Sequence, residues 1–447
     1  MKLFNTLSGE LETLTPIHGG EVRMYHCGPT VYDYAHIGNL RSYICMDILR
    51  RTIEYVGYAV KQVMNITDID DKTLERSQKE KISLAELTKK YENIFLNDLN
   101  SLHIKIPEHI LRATEHIDEM ITLITTLLDT NYAYITEDGV YFSIAKSKGY
   151  GLLAHLDLNA ITQSRITHDE YEKKDARDFA LWKFETTEKD TFATPFGRGR
   201  PGWHIECSAM AMGALGEQID IHTGGMDLIF PHHTNEIAQS EAATGKPFAR
   251  FWLHNEFVMV DGQKMSKSLN NFFTLKTIID RGIPPLAYRY WVLGTHYRAK
   301  SNFTEKGIEG AKNALHRLGS HIKKEIGTID RGYQVRFKET ILNDLDTPRA
   351  LALAWEVAKD TMLSPADKTA TLLDFDQVLG LGLYNYQLQS TQYTREKIPQ
   401  EITTLLADRE TARQNRDWAK SDKIREKINT LGFDIEDSPL GARIKKF

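Results

Sequence analysis

Residues 22–67 constrain the fold more than any other stretch of this chain. Residues 22–32 read as a strand interrupted by Gly28-Pro29. Ile37, Leu40, Ile44, Ile48, Leu49, Ile53 and Val56 then recur at helical spacing, and Gly57 supplies a stop. Residues 59–67 read as a second strand. Strand, helix and strand within about 45 residues make a βαβ unit, whose two strands lie parallel because the connection between them crosses over. The expected class is α/β.

At 447 residues the chain exceeds one ordinary core and suggests roughly two to four domains. Residues 83–103 and 110–130 read as helices. Residues 131–200 change character, with aromatics, turns, short strands at Ala133–Ile135 and 140–144, and a Gly/Pro/Arg run at 195–202. This segment reads as an insertion within the sheet domain. The βα pattern resumes near Trp203. From about Thr304 the chain reads as mostly helical, with a charged helix over 403–431 and a short strand at Phe433-Asp434-Ile435 near the end. No internal repeat or low-complexity segment stands out.

Hydrophobic residues at 41% and charged residues at 26% are the balance of a soluble globular protein. No apolar run approaches a membrane span. Glu10 and Glu12 interrupt any apolar core of a signal peptide, so the expected location is the cytoplasm. Three cysteines, Cys27, Cys45 and Cys207, cannot build a disulfide framework and read as buried thiols, metal ligands or nucleophiles. A net charge of -5 argues against indiscriminate nucleic-acid binding but leaves room for a local basic surface.

Two segments suit phosphate chemistry. Ala35-His36-Ile37-Gly38-Asn39-Leu40 falls where a strand gives way to a helix, and helix N-termini favour anions. Gly38 permits close approach, and His36 and Asn39, one turn apart, can both donate to phosphate. The plainer reading is a helix start with a capping Asn. About 230 residues later, Lys264-Met265-Ser266-Lys267-Ser268 follows an Asp261-Gly262 turn. Its lysines, three residues apart, suit a loop that neutralises charge on a departing pyrophosphate; the plainer reading is a basic surface loop.

A third constellation suits a metal. Cys27 ends the first strand, Cys207 follows the 201–206 segment, and His232 and Glu236 share one helix face if Pro231 starts a helix. Two thiolates, an imidazole and a carboxylate make a plausible zinc set. The cysteines stand 180 residues apart, and a lone cysteine is more often a small core residue. His204, His222 and His233 are also candidate ligands, and spacing does not choose among them. Cys45 reads as core.

Five stretches in order resemble the bacterial-type cysteinyl-tRNA synthetases, a family of class I aminoacyl-tRNA synthetases, along nearly the whole chain. They are residues 25–33 around Cys27-Gly28-Pro29, residues 65–72 around Thr67-Asp68, residues 199–210 around Trp203-His204-Ile205-Glu206-Cys207, Phe230-Pro231-His232-His233 with residues 235–240, and the 264–268 loop. The resemblance implies a split Rossmann-type parallel-sheet catalytic domain (1–130 and 201–260) with a connective insertion (131–200). A linker domain with the KMSKS loop (261–310), a helical bundle (311–400) and a small C-terminal anticodon-recognising domain (401–447) would follow. It implies one Zn²⁺ per chain on Cys27, Cys207, His232 and Glu236, with the substrate thiolate itself binding that zinc. Catalysis would fall to His36, Asn39, Lys264 and Lys267; ATP with its Mg²⁺ would be held by these and by Gly38 and Gly224. Thr67, Trp203, His222 and Asp227 match positions lining the amino-acid pocket.

The implied activity is cysteine–tRNA ligation. ATP activates L-cysteine to cysteinyl-adenylate with release of pyrophosphate, and the acyl group passes to the 3′ end of cysteine tRNA. A monomer is implied. Two alternatives share features: a ligase that passes activated cysteine to an amino-sugar, and a catalytically silent paralogue that binds tRNA or zinc. The run 413–422 favours the synthetase over the first, and the intact signatures favour it over the second. Two departures stand out. Asn39 replaces the family's usual histidine, and Ile444 lies near a position where an aromatic is common, which leaves Trp418 and Arg443 as candidates for anticodon contact.

Overall fold

The computed structural model describes residues 1–155, 177–265, 271–384, 400–414, 417–431, 433–438 and 441–446. They divide into two compact units, Met1–Leu383 and Tyr384–Phe447.

The first unit is organised by a parallel sheet of five strands: β3 (Glu21–His26), β4 (Ala59–Ile66), β5 (His109–Arg112), β10 (Ile219–Gly225) and β11 (Ala249–Asn255), in the order β11-β10-β3-β4-β5. Helix α1 (Ile37–Tyr55) crosses from β3 to β4, as the spacing of Leu40, Ile44, Ile48 and Ile53 predicts; all four are buried. Strands β3, β4 and β5 advance to one side, β10 and β11 to the other. The order reverses between β3 and β10, and the crevice at the C-terminal ends of such strands is where open α/β sheets bind ligands.

Helix α2 (Asp71–Glu80) and helix α3 (Leu84–Ser101) follow β4, capped by Asp70 and Ser83. The expected helix over 110–130 is shorter: residues 109–112 form the edge strand β5, and helix α4 runs only over Ile117–Asp129. Buried Asp68 accepts from the Thr114 amide at 3.0 Å and its hydroxyl at 2.6 Å, which turns the chain out of the sheet before the helix begins.

Residues 133–201 carry a second, antiparallel sheet: β6 (Ala133–Ile135), β7 (Gly139–Phe142), β8 (Phe179–Phe184) and β9 (Gly199–Pro201). Its buried Val140, Phe142, Leu181 and Trp182 pack with residues of α4 and of helix α5 (Trp203–Leu215) in one core. Helix α6 (Thr234–Thr244) connects β10 to β11.

Beyond β11, β12 (Val258–Val260) pairs antiparallel with β13 (Gln263–Lys264) and parallel with β14 (Ser301–Phe303). Asp261 and Gly262 turn β12 into β13 with φ of 47° and 77°, the two-residue hairpin geometry that Asp-Gly favours. Helix α7 (Leu275–Asp280) and helix α8 (Pro285–Leu293) lead to β14. Helices α9 (Glu305–Ser320), α10 (Arg331–Ile341), α11 (Thr347–Lys359) and α12 (Pro365–Leu379) then account for the helical composition after Thr304. Among the described residues no helix is long and apolar enough to cross a membrane. A small hairpin of β1 (Lys2–Asn5) and β2 (Glu10–Thr13), absent from the sequence reading, precedes the main sheet.

In the second unit the expected single helix over 403–431 is two, Gln400–Gln414 and Trp418–Thr430. Asp417 makes the break by capping the second with its carboxylate on the Lys420 amide at 3.0 Å. Ile402, Leu405 and Ile428 form their shared core. The expected short strand is longer, Phe433–Ser438, and pairs antiparallel with Gly441–Lys446, setting Ile435 opposite Ile444.

Candidate functional site

Cys27 lies one residue beyond β3, and His222 and Gly224 lie on β10, so the switch point of the sheet gathers residues remote in sequence. Cys27 and Cys207 are 6% and 1% exposed, with sulfurs 3.8 Å apart. Cys207 comes from the first turns of α5, inside the apolar cluster of Tyr25, Val63, Ala211 and Trp252. Glu236, from the first turn of α6, places Oε1 at 3.7 Å from Cys27 Sγ and 3.1 Å from His232 Nε2. Pro231 does not begin a regular helix as expected. A wider turn, Ile229–His233, with a cis Phe230–Pro231 bond, runs into α6, yet His232 and Glu236 still meet.

Donor atoms of Cys27, Cys207, His232 and Glu236 all lie within 4.8 Å of one another. Tetrahedral zinc with bonds of about 2.3 Å to sulfur requires a sulfur–sulfur edge of roughly 3.8 Å, which matches the observed spacing. A second set, Cys27, His222, His233 and Glu236, meets the same criterion. His233 Nε2 is 3.3 Å from Cys27 Sγ, and His222 Nε2 is 2.9 Å from Glu236 Oε2. The first set carries two thiols, the softer donors, and fits zinc better. Burial pushes both thiols up, Cys27 well up, with Glu236 adding to it, and burial with the neighbouring His204 and His222 pushes His232 far down.

Around the donors stand further histidines. His204 Nδ1 is 2.9 Å from His232 Nδ1, and His233 Nδ1 is 2.8 Å from His254 Nε2, whose Nδ1 meets the Thr6 hydroxyl at 2.8 Å. Burial lowers the pKa of both His204 and His254 to about 3. His254 escaped the sequence reading, since nothing in its spacing marks it.

Of the expected pocket residues, Trp203 and Asp227 line an open cleft, while Thr67 and His222 are buried. The Trp203 ring, 41% exposed, stacks on His232 at 4.3 Å. Buried Thr67 donates to Glu206 Oε2 at 2.8 Å, and burial holds the Glu206 carboxyl well above the usual range. His222 stacks on Trp252 at 4.5 Å. Asp227 is exposed in a single turn after β10. Gly224 is buried at the end of β10, where a Cβ would stand 2.8 Å from the His233 ring; its neighbour Gly225 lines the open cleft.

That open cleft of about 450 Å³ is walled by Cys27, His36, Gly38, Asn39, Trp203, Asp227 and Lys264. His36 caps α1: the Asn39 amide donates to His36 Nδ1 at 3.0 Å, and Asn39 Oδ1 accepts from the His36 amide at 3.2 Å. Because Nδ1 accepts, the ring proton resides on Nε2. The plain capping role of Asn39 is thus present. Lys264 ends the β12–β13 hairpin, exposed. Lys267 lies outside the described residues. Beyond the loop, Asn271 Nδ2 donates to the Lys264 carbonyl at 3.1 Å, the Ile37 amide donates to the Phe273 carbonyl at 2.9 Å, and the His36 ring meets Phe272 edge-on at 5.4 Å. The two phosphate signatures are therefore joined at the loop's return.

A family model described as tRNA synthetases class I (C) catalytic domain matches residues 13–313, and one described as Cysteinyl-tRNA ligase anticodon binding domain matches residues 395–443. A solved methionyl-tRNA synthetase from Mycobacterium tuberculosis shares the fold at TM-score 0.57 and 15% identity, over 82% of this chain and 91% of that one. A LeuRS–tRNA–LeuAMS complex from Agrobacterium radiobacter K84 does so at 0.58 and 10%, over 86% of each chain. Fold and catalytic-domain match define a class I aminoacyl-tRNA synthetase. Cysteine–tRNA ligases narrow it: that of Protochlamydia amoebophila is 42% identical over 100% of this chain and 98% of its own, and that of Chlamydia felis 44% over 99% and 97%. The chain belongs to the cysteine–tRNA ligase family.

Proposed function

We propose that this chain ligates L-cysteine to cysteine tRNA at the expense of ATP, selecting cysteine through a single zinc ion held by Cys27, Cys207, His232 and Glu236. The observation that carries the reading is the convergence of those four donors beside a cleft that Cys27 walls together with His36 and Lys264. When bound, zinc supplies a soft Lewis acid that prefers a thiolate to an alcohol, so it separates cysteine from serine, near-isosteres that a shape-only pocket divides by only about 10²-fold.

The chain's own residues do the rest. Trp203, packed on His232, and Asp227 flank the amino acid, and Thr67 and His222 shape the floor. The cysteine carboxylate attacks the α-phosphate of Mg²⁺-bound ATP, and the bond to pyrophosphate breaks. His36, protonated on Nε2, donates to the phosphates. Lys264 and Lys267 neutralise the leaving pyrophosphate. A hydroxyl of the tRNA's terminal adenosine then takes the acyl group and releases AMP. No protein nucleophile is needed; positioning and charge carry the rate. Residues 1–130 and 201–260 act as the catalytic halves, 131–200 as the insertion, 261–310 as the linker, 311–400 as the bundle and 401–447 as the anticodon reader, in a monomer working in the cytoplasm.

Aminoacylation with ATP-Mg²⁺, cysteine tRNA and labelled cysteine, with serine in parallel, tests the reading. Charging of cysteine alone is expected. Adenylate formation without charging would instead favour an amino-sugar acceptor, and no adenylate would leave a silent paralogue.

A further inference from the structure

Arg41, one turn into α1, is fully buried. Its guanidinium donates to five backbone carbonyls: Glu256 at 2.7 Å, Phe257 at 2.8 Å, His296 at 3.2 Å, Tyr297 at 3.3 Å and Ala299 at 2.6 Å. Among the described residues no carboxylate lies within ion-pair distance. A buried cation without a counter-charge is costly unless it is hydrogen-bonded; Nε is left without a hydrogen-bond partner, so the five convergent acceptors on the two terminal nitrogens hold the group and mark a specific construction.

The five carbonyls belong to two crossing segments. Glu256 and Phe257 join β11 to β12; residues 296–299 join α8 to β14. The segments also bond each other, Glu256 amide to Tyr297 carbonyl at 2.8 Å and Ser301 amide to Phe257 carbonyl at 3.1 Å. Both strands of the β12–β14 pair thus start on one guanidinium. From that root β12 runs three residues to the Asp261-Gly262 turn and β13, whose last residue is Lys264. Arg41 itself stands five positions after His36 on the helix that His36 caps. Its planar fork can serve acceptors diverging on two segments; an ammonium with three donors cannot reproduce that.

We infer that Arg41 is a positioning residue for ATP activation: it fixes the root of the Lys264 hairpin against the helix that presents His36, and so sets where the Lys264 ammonium meets the phosphates. The inference rests on the functional reading above. A displacement of about 1 Å in a positioned group can cost on the order of 10²-fold in rate, and the hairpin is short enough to pass a shift at its root to its tip.

The test is cysteine-dependent ATP–pyrophosphate exchange with full-length, zinc-loaded protein: wild type, Arg41→Lys, Arg41→Met, Lys264→Ala, and Arg41→Lys combined with Lys264→Ala. Arg41→Lys is expected to lower kcat/KM for ATP by about 10- to 100-fold, with KM for cysteine within about two-fold of wild type. Because Arg41 acts through Lys264, the double variant is expected to be no slower than Lys264→Ala alone. Fully additive losses, or an equal rise in KM for cysteine, would overturn the inference while leaving the functional reading intact. Wild type without exchange would overturn both. If Arg41→Met fails to fold, Arg41→Lys, which keeps the buried charge, completes the cycle.

Discussion

His36 and Asn39 cap each other's backbone: each side chain accepts the other residue's amide, at 3.0 Å and 3.2 Å. The pair fixes the His36 tautomer and places a neutral amide where the family's first signature commonly carries histidine. Removing the Asn39 oxygen with Asn39→Ala leaves the His36 amide without its partner and is expected to cost about 1 kcal/mol of stability. Asn39→Asp keeps the acceptor but adds a negative charge beside the triphosphate. It is expected to melt no lower than wild type while kcat/KM for ATP falls about 10- to 100-fold. Exchange kinetics and thermal melting on the two variants check this; an Asn39→Asp enzyme with unaltered ATP kinetics would remove Asn39 from the phosphate site.

Lys264 is exposed at the end of a two-stranded turn, so its truncation removes charge with little loss of packing. Lys264→Ala is expected to lower kcat for adenylate formation by about 10²- to 10³-fold, the scale of one lost electrostatic stabiliser, with melting within about 1 °C of wild type. A loss confined to KM would show that Lys264 binds ground-state ATP only.

Cys207 packs in an apolar cluster and faces Cys27 at 3.8 Å. Cys207→Ser is nearly isosteric, but an alcohol is a poor zinc donor. Metal content after dialysis against a chelator is expected to fall below that of wild type. Preference for cysteine over serine in exchange is expected to drop at least about tenfold. Retained zinc with retained selectivity would transfer the site to the rival set that uses His222 and His233.

The βαβ reading of residues 22–67 found the centre of the sheet because Leu40, Ile44, Ile48 and Ile53 repeat on one buried helix face. The 109–112 strand stayed hidden because four residues leading into a helix carry no period of their own; the Asp68 carboxylate that turns them lies 46 positions away from Thr114. The same limit applies to the site. Cys27 and Cys207 were legible as candidates, but only the sheet's switch point joins residues 180 positions apart. Arg41 and His254 gave no signal. A lone arginine in a helix reads as surface, and its five carbonyl partners are backbone, which sequence does not mark.

Asp98 stands in the last turn of α3, where the helix end is electronegative. Burial pushes its carboxyl up to about 6. The folded state therefore binds the proton more tightly than the unfolded chain, so this group's contribution to stability is greatest below the unfolded carboxylate range. It is lost as pH rises through about 6. Asp98→Asn removes the charge at every pH. The variant is expected to melt higher than wild type near pH 7.5, and the gain to shrink toward pH 4.5. A gain independent of pH would assign the effect to packing.

Asp47 and Arg289 form a fully buried pair at 2.5 Å that ties α1 to α8. Burial alone would raise the Asp47 carboxyl, but Arg289, Arg51 and the Lys105 amide outweigh it, and the net shift is downward. A depressed carboxyl contributes stability that is present above the unfolded value and lost as pH falls through the folded one. Arg289 also donates to the Leu379 and Leu102 carbonyls at 2.7 Å and 3.1 Å, so its loss strands acceptors as well as a charge. Arg289→Met is expected to destabilise the chain by about 3–5 kcal/mol, the cost of breaking rather than replacing a buried pair. Adding Asp47→Asn is expected to recover part of that loss, because the carboxylate that Arg289 leaves behind is then gone. Urea unfolding of the two singles and the double measures the coupling. If the double variant is less stable than Arg289→Met by the full cost of Asp47→Asn, the pair is not coupled, and Arg51 with the Lys105 amide holds the Asp47 charge.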